Sequence, residues 1–146
     1  ETEGGVSVAR EQAVGSAVRD FNRVLQDFYA SGGDPALIDV IPATTAAKHL
    51  IFRDLGYLRD SKLVLVQDLA RLVPVKVERA GEGAEAVVYE EWNHVYQDPG
   101  DRTVVSEVKG MGSGFRYRLV RQRGRWLVAA YEREDVPAPP PEATPW

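Results

Sequence analysis

The sequence lacks cysteine altogether and holds only two histidines and one methionine. Without cysteine there is no disulfide framework and no thiolate chemistry, although the compartment stays open. Two histidines are little material for a structural zinc site. No acidic run follows the calcium-loop pattern either, so no metal and no other cofactor is expected. Positive charge is not in excess. Eighteen Lys and Arg stand against 22 Asp and Glu, a net charge of −4. Nucleic acid is therefore not the expected partner, because phosphate neutralisation favours basic surfaces. No run of the sequence approaches the roughly 20 apolar residues that span a bilayer. The first residues are Glu1-Thr2-Glu3, without methionine. The sequence thus reads as a processed or excised piece, and a missing targeting segment carries little weight. The glycines of Gly110-Met111-Gly112-Ser113-Gly114 lack the lysine and hydroxyl residue that complete a phosphate loop.

What is present suffices for a domain. At 146 residues and 44% apolar composition the chain can bury a real core. Ser7 can cap a helix that starts at Val8. Val14, Ala17, Val18, Phe21, Val24, Leu25 and Phe28 then recur at spacings of three and four, one apolar stripe on a helix of about 20 residues. Arg19, Asp20, Asn22, Arg23, Gln26 and Asp27 read as its polar side. Ser31-Gly32-Gly33 stops it. Asp34-Pro35 opens a short helical turn carrying Leu37, Ile38 and Ile41. A second main helix starts after Thr44 or Thr45, with Ala46, Ala47, Leu50, Ile51 and Leu55 on its buried side.

Residues 62 to 73 read as a short strand or extended connection, and Pro74 suits an edge or a strand start. Val75 to Ala80 alternates, and Gly81-Glu82-Gly83 turns the chain. Residues 84 to 131 carry the clearest strand signal. Ala86, Val88, Glu90, Trp92, His94 and Tyr96 share one face of a long strand over 84–97. Asp98-Pro99-Gly100-Asp101 is a turn. Strands follow over 103–108, 115–120 and 126–131. The glycine-rich 110–114 is a flexible connection or a distorted strand start, and Gly124 takes positive φ in the last hairpin. Both faces of 126–131 are apolar, which predicts a place inside the sheet. Five of the nine prolines fall between Pro137 and Trp146, a density that favours an extended segment.

This order predicts an α+β fold in which N-terminal helices pack on a strongly curved, mostly antiparallel sheet, an α+β cone. Residues 1–7 are expected as a flexible N-terminus, 8–133 as one domain, and 134–146 as a proline-rich tail or linker.

The amphipathic first helix, the strand AEAVVYEEWNHVY and the closing hairpin FRYRLVRQRGRWLVAAY, with Trp126-Leu127-Val128, resemble the superfamily of nuclear-transport-factor-two-like proteins. The resemblance covers roughly residues 8 to 133. It is nearest to non-catalytic exported or membrane-tethered modules, such as the intermembrane-space domain type of plastid and cyanobacterial division proteins. It implies a soluble extracytoplasmic or membrane-tethered location. The superfamily also holds isomerases, dehydratases and cyclases, so the fold leaves function open. Its usual dyad of aspartate with histidine or tyrosine has no clear counterpart, since Asp20, Asp27, Asp39 and Asp54 all lie in the helical half.

Two readings of function follow. The first is a non-enzymatic protein-interaction or accessory domain of a larger, envelope-associated protein. Its binding surface would comprise Trp92, Arg116, Arg118, Arg121, Arg123, Arg125 and Tyr131, since aromatics and arginines anchor interfaces. A homodimer would use the outer strand face around Tyr89, Val95 or Tyr131. The alternative is a small cofactor-independent isomerase or dehydratase acting on a hydrophobic molecule in the cavity. His94, Glu90 and Tyr96 would be its catalytic set, with a hydroxyl from Tyr117 or Tyr131. Along an extended strand Glu90 and His94 stand about 13 Å apart, which argues against a direct hydrogen bond between them.

Overall fold

A computed structural model describes residues 7 to 146. The expected flexible N-terminus falls, except for Ser7, outside the described residues. Helix α1 spans Val8–Ala30, α2 spans Pro35–Val40 and α3 spans Thr45–Asp60. Each begins at a side-chain cap of the kind the sequence predicts. Ser7 accepts from the amide of Arg10, Asp34 from that of Ala36 and Thr44 from that of Ala47. These bonds satisfy amides that would otherwise lack a partner in the first turn. The seven residues of the predicted α1 stripe are all buried. On α3 the buried residues are Ala47, Ile51 and Leu55, while Ala46 is exposed and Leu50 half-buried.

Four strands follow: β1 Val64–Ala80, β2 Gly83–Gln97, β3 Val104–Gln122 and β4 Arg125–Glu134. All neighbours are antiparallel. The sequence divides β1 at Pro74 and β3 at its glycines, but each is one continuous strand. Pro74 is tolerated because β1 is an edge strand, and the register shifts between Pro74 and Lys76. The glycines of β3 serve close approach. A Cβ on Gly112 would lie 2.0 Å from the Tyr89 hydroxyl, and one on Gly114 would lie 2.5 Å from Val136. In the last hairpin Arg123 and Gly124 both take positive φ, 52° and 76°, as a two-residue turn matched to strand twist requires.

The sheet corrects the expected cone. Its order is β1-β2-β3-β4, an open meander with β1 and β4 at opposite edges. It is neither strongly curved nor closed. Closure would need β4 to turn back upon β1. Instead β4 meets the α2–α3 connection: the Val128 amide donates to the Pro42 carbonyl, and the Thr44 amide to the Val128 carbonyl, each at 2.9 Å. This also explains why β4, apolar on both faces, is an edge strand and not the internal strand expected. Its pairing need is met on that side by a short parallel bridge, Ala43 to Val128, and α3 packs against it.

Helices α1 and α3 cover one face of the sheet. The core between them joins Val14, Val18, Phe21 and Phe28 of α1 and Ile51 of α3 to Ala86, Val88, Leu119 and Val128 of the sheet. The last residues turn back over the domain. Arg71 donates to the Pro140 carbonyl at 2.6 Å, and the Trp146 amide donates to the Leu72 carbonyl at 2.8 Å on the edge of β1. The Trp146 indole lies against Gly15 of α1, where a Cβ would stand 2.9 Å from the ring.

Candidate functional site

Strand alternation places Glu90, Trp92, His94 and Tyr96 on the face that meets the helices. The Trp92 and His94 rings stack with centroids 6.0 Å apart, and His94 and Tyr96 follow at 6.3 Å. Beyond the main core this face opens into a pocket of about 230 Å³. Its apolar walls include Phe21, Leu25, Trp92 and Phe115, and its polar groups include Glu90, His94, Asn22 and Arg133.

Glu90 is the most deeply placed charged residue among those described, at 1% exposure. Its two carboxylate oxygens are both engaged. The Trp92 indole donates to Oε1 at 2.7 Å, and the Tyr117 hydroxyl forms a short hydrogen bond to Oε2. Burial pushes the Glu90 carboxyl up to about 7, against the opposing pull of those two donors. Tyr117 is raised well above the usual phenol range, chiefly by its own burial and then by the Glu90 charge.

Behind Tyr117 stands Asn22, only 2% exposed. The sequence places it on the polar side of α1, and the structure corrects this. Asn22 follows Val18 by one helical turn, so it points at the sheet. Its Nδ2 donates to the Val18 carbonyl at 3.0 Å and to the Tyr117 hydroxyl at 3.2 Å. When Glu90 carries a proton, the Tyr117 hydroxyl can turn toward Asn22 Oδ1, 3.5 Å away. The network thus accommodates either charge state of Glu90. The spacing Val14, Val18, Asn22, Leu25 is the signal in the sequence that reveals Asn22 as an inward residue.

His94 does not join Glu90. Its Nδ1 lies 3.4 Å from the Gln67 amide nitrogen on β1, and burial lowers its basicity. Gln67 Oε1 is buried without a hydrogen-bond partner among the described residues. Tyr96 is half-buried at the end of the aromatic row. Glu90, His94 and Tyr96 therefore share a face without forming one hydrogen-bonded set. Each Glu90 oxygen accepts one bond within the fold, from Trp92 and from Tyr117.

The expected binding residues separate. Trp92 and Tyr131 face the helices and line the pocket. Tyr131 packs on Phe21 at 5.6 Å and donates to Asp54 at 3.1 Å, so it is not part of an outer face. Tyr89 does lie on the outer face, but it is 8% exposed, and Val95 is half-buried. Arg116 is held between Glu85 and Glu134. Arg118, Arg121, Arg123 and Arg125 are exposed. Arg121 shares an open depression with Arg10, Arg79 and Glu82, a grouping across α1, β1 and β3 that no local sequence pattern announces.

The sequence also hides the first half of β3. From Val104 to Gly112 every residue is exposed, although Val104 is 56%, Val105 60% and Val108 38% exposed apolar surface. β2 pairs with this segment on one side. On the other, β4 pairs with β3 only from Gly114 onward.

Helices α1 and α3 on one face of a four-stranded antiparallel meander, with α2 packed on α1, form an α+β fold of the nuclear-transport-factor-two-like, or cystatin-like, type. Among solved structures, the intermembrane space region of the chloroplast protein ARC6 matches with TM-score 0.57 and 13% identity, over 82% of this chain and 95% of that one. A protein from Catenulispora acidiphila in complex with S-DNPA matches with TM-score 0.54 and 14% identity, over 84% and 92%. Aln2 from a Streptomyces species matches with TM-score 0.52 and 14% identity, over 88% and 93%. No protein-family model and no curated protein matches this sequence. At these identities the likeness establishes the shared fold.

Proposed function

We propose that the chain is a non-enzymatic protein-interaction or accessory domain of a larger, envelope-associated protein. The observation that carries this reading is the exposed first half of β3, where valines and a free strand edge face solvent together. Apolar side chains on an unpaired edge invite another polypeptide. The likeness to the intermembrane space region of ARC6 supports a location outside the cytoplasm or on a membrane tether. The test is substitution of the exposed Val105 by Glu in the full-length protein. Specific partners captured by the parent and lost from the variant, with Tm unchanged, carry the proposal. Equal capture by both, or by neither, sinks it. Protease protection in fractionated cells tests the location.

A second reading rests on the pocket. A small hydrophobic molecule would fit its 230 Å³, and the Catenulispora acidiphila protein of the same fold is in complex with S-DNPA. Thermal shift against a panel of planar aromatic compounds tests it. Stabilisation that Leu25→Trp abolishes supports a ligand pocket, and a flat response across the panel removes it.

A further inference from the structure

Sheet edges attract other strands, and this protein treats its edges unequally. The β1 edge is interrupted by Pro74 and by two register shifts, at Leu69/Arg71 and Pro74/Lys76. It also receives the Trp146 amide at Leu72. The β4 edge is occupied at Val128 by the Pro42–Thr44 segment. Proline, bulges and covering segments are the usual protections of an edge. The β3 edge from Ser106 to Lys109 has no proline and no covering segment among the described residues, and it carries the exposed Val108. This run is bounded by two breaks: at Val105, an extra β3 residue between the pairs Tyr96–Ser106 and Gln97–Val104, and at Gly110, whose φ is +66° and where β3 carries one residue more than β2 between the pairs His94–Val108 and Trp92–Met111.

We infer that this edge pairs with the same edge of a second copy, antiparallel about a two-fold axis through Val108. The inference rests on the interaction reading above and names its partner. A two-fold axis perpendicular to the sheet keeps like faces together, which leaves few registers. Centring on Glu107 sets two carboxylates against each other, an unfavourable cross-strand pair. Centring on Ser106 sets the apolar Val105 against Glu107. Centring on Val108 sets Glu107 against Lys109 of the second copy, and Lys109 against Glu107 of the second copy. Both charge pairs are then opposite in sign, and Val108 meets its own counterpart. The interface is isologous, so each favourable pair occurs twice.

Position matters for the pocket as well. Val108 pairs with His94 on β2, and Met111 with Trp92. Met111 and Ser113 line the pocket. A strand added along this edge would therefore stand beside the pocket mouth and narrow it. The paired segment is short, ending at the Gly110 kink, so the association is of the weak, concentration-dependent kind that small interfaces give.

Sedimentation over a wide concentration range tests the inference. The expected result is a weight-average mass that climbs toward twice that of the chain. Glu107→Lys should abolish the climb by opposing like charges twice. Adding Lys109→Glu to that variant should restore it, because the double exchange recreates both opposite pairs. All these side chains are exposed, so circular dichroism should report an unchanged fold. A parent chain that stays monomeric throughout overturns the inference. So does a dimer indifferent to Glu107→Lys, or one not restored by the double exchange. Partner capture that Val105→Glu still destroys in a monomeric chain would separate this failure from failure of the interaction reading.

Discussion

The indole of Trp92 donates at 2.7 Å to the carboxylate of Glu90, two residues earlier on the same face of β2. Tyr117 of β3 closes on the other carboxylate oxygen. This is how the fold holds an acid at 1% exposure without leaving its oxygens unpaired. Such a network is costly to disturb in part, because each remaining polar group loses its partner in a poorly solvated site.

The first prediction concerns pH. The Glu90 carboxyl titrates near 7 in the folded chain, against 4.5 for an unburied one. Between those values the unfolded chain releases this proton and the folded chain keeps it. Stability should therefore fall as pH rises from about 4.5 to about 7, then level off. The full change is on the order of 3 kcal/mol. Urea melts across this range measure it. Glu90→Gln should remove this part of the slope, and an unchanged slope would contradict the assignment.

Tyr117→Phe tests the second half of the pair. The Tyr117 hydrogen bond opposes the upward push of burial on Glu90. Its loss should move the Glu90 midpoint higher, as read by carboxyl carbon chemical shifts. The orphaned carboxylate and Asn22 should cost about 1–3 kcal/mol of stability.

Gly15 sits in the interior of α1, where glycine costs about 1 kcal/mol relative to alanine. Its reason for being there is the Trp146 ring. Gly15→Leu should fill that seat and release the C-terminal segment. The Trp146 amide, now bonded to the Leu72 carbonyl, should lose its protection from hydrogen exchange. The better helix former should offset part of the lost packing, leaving net stability within about 1 kcal/mol. Retained protection would show that the tail holds by other contacts.

Arg116 bridges Glu85 of β2 and Glu134 of β4 across β3. Arg116→Ala should lower Tm at low ionic strength, with a difference that shrinks as salt is added, because partly exposed charges are screened. A salt-independent loss would point to packing of the arginine stem as the main contribution.

Much of this architecture is legible in the order of residues. The caps Ser7, Asp34 and Thr44, the α1 stripe and the inward row from Ala86 to Tyr96 all depend on neighbours within one helical turn or one strand. Short-range hydrogen bonds and fixed periodicity decide them, so the sequence by itself determines helices first and an antiparallel sheet after. Local pattern misleads where a partner comes from far along the chain. Asn22 reads as a polar surface residue until Tyr117, 95 positions away, supplies its bond. The apolar β4 reads as internal until Pro42 and Thr44 take its edge. The openness of the sheet, the Glu90–Tyr117 pair, the return of Trp146 to Gly15 and the uncovered edge at Val108 were decided only by tertiary structure. Each depends on which distant backbone or side chain satisfies a group, and spacing along one strand or one helix does not specify that choice.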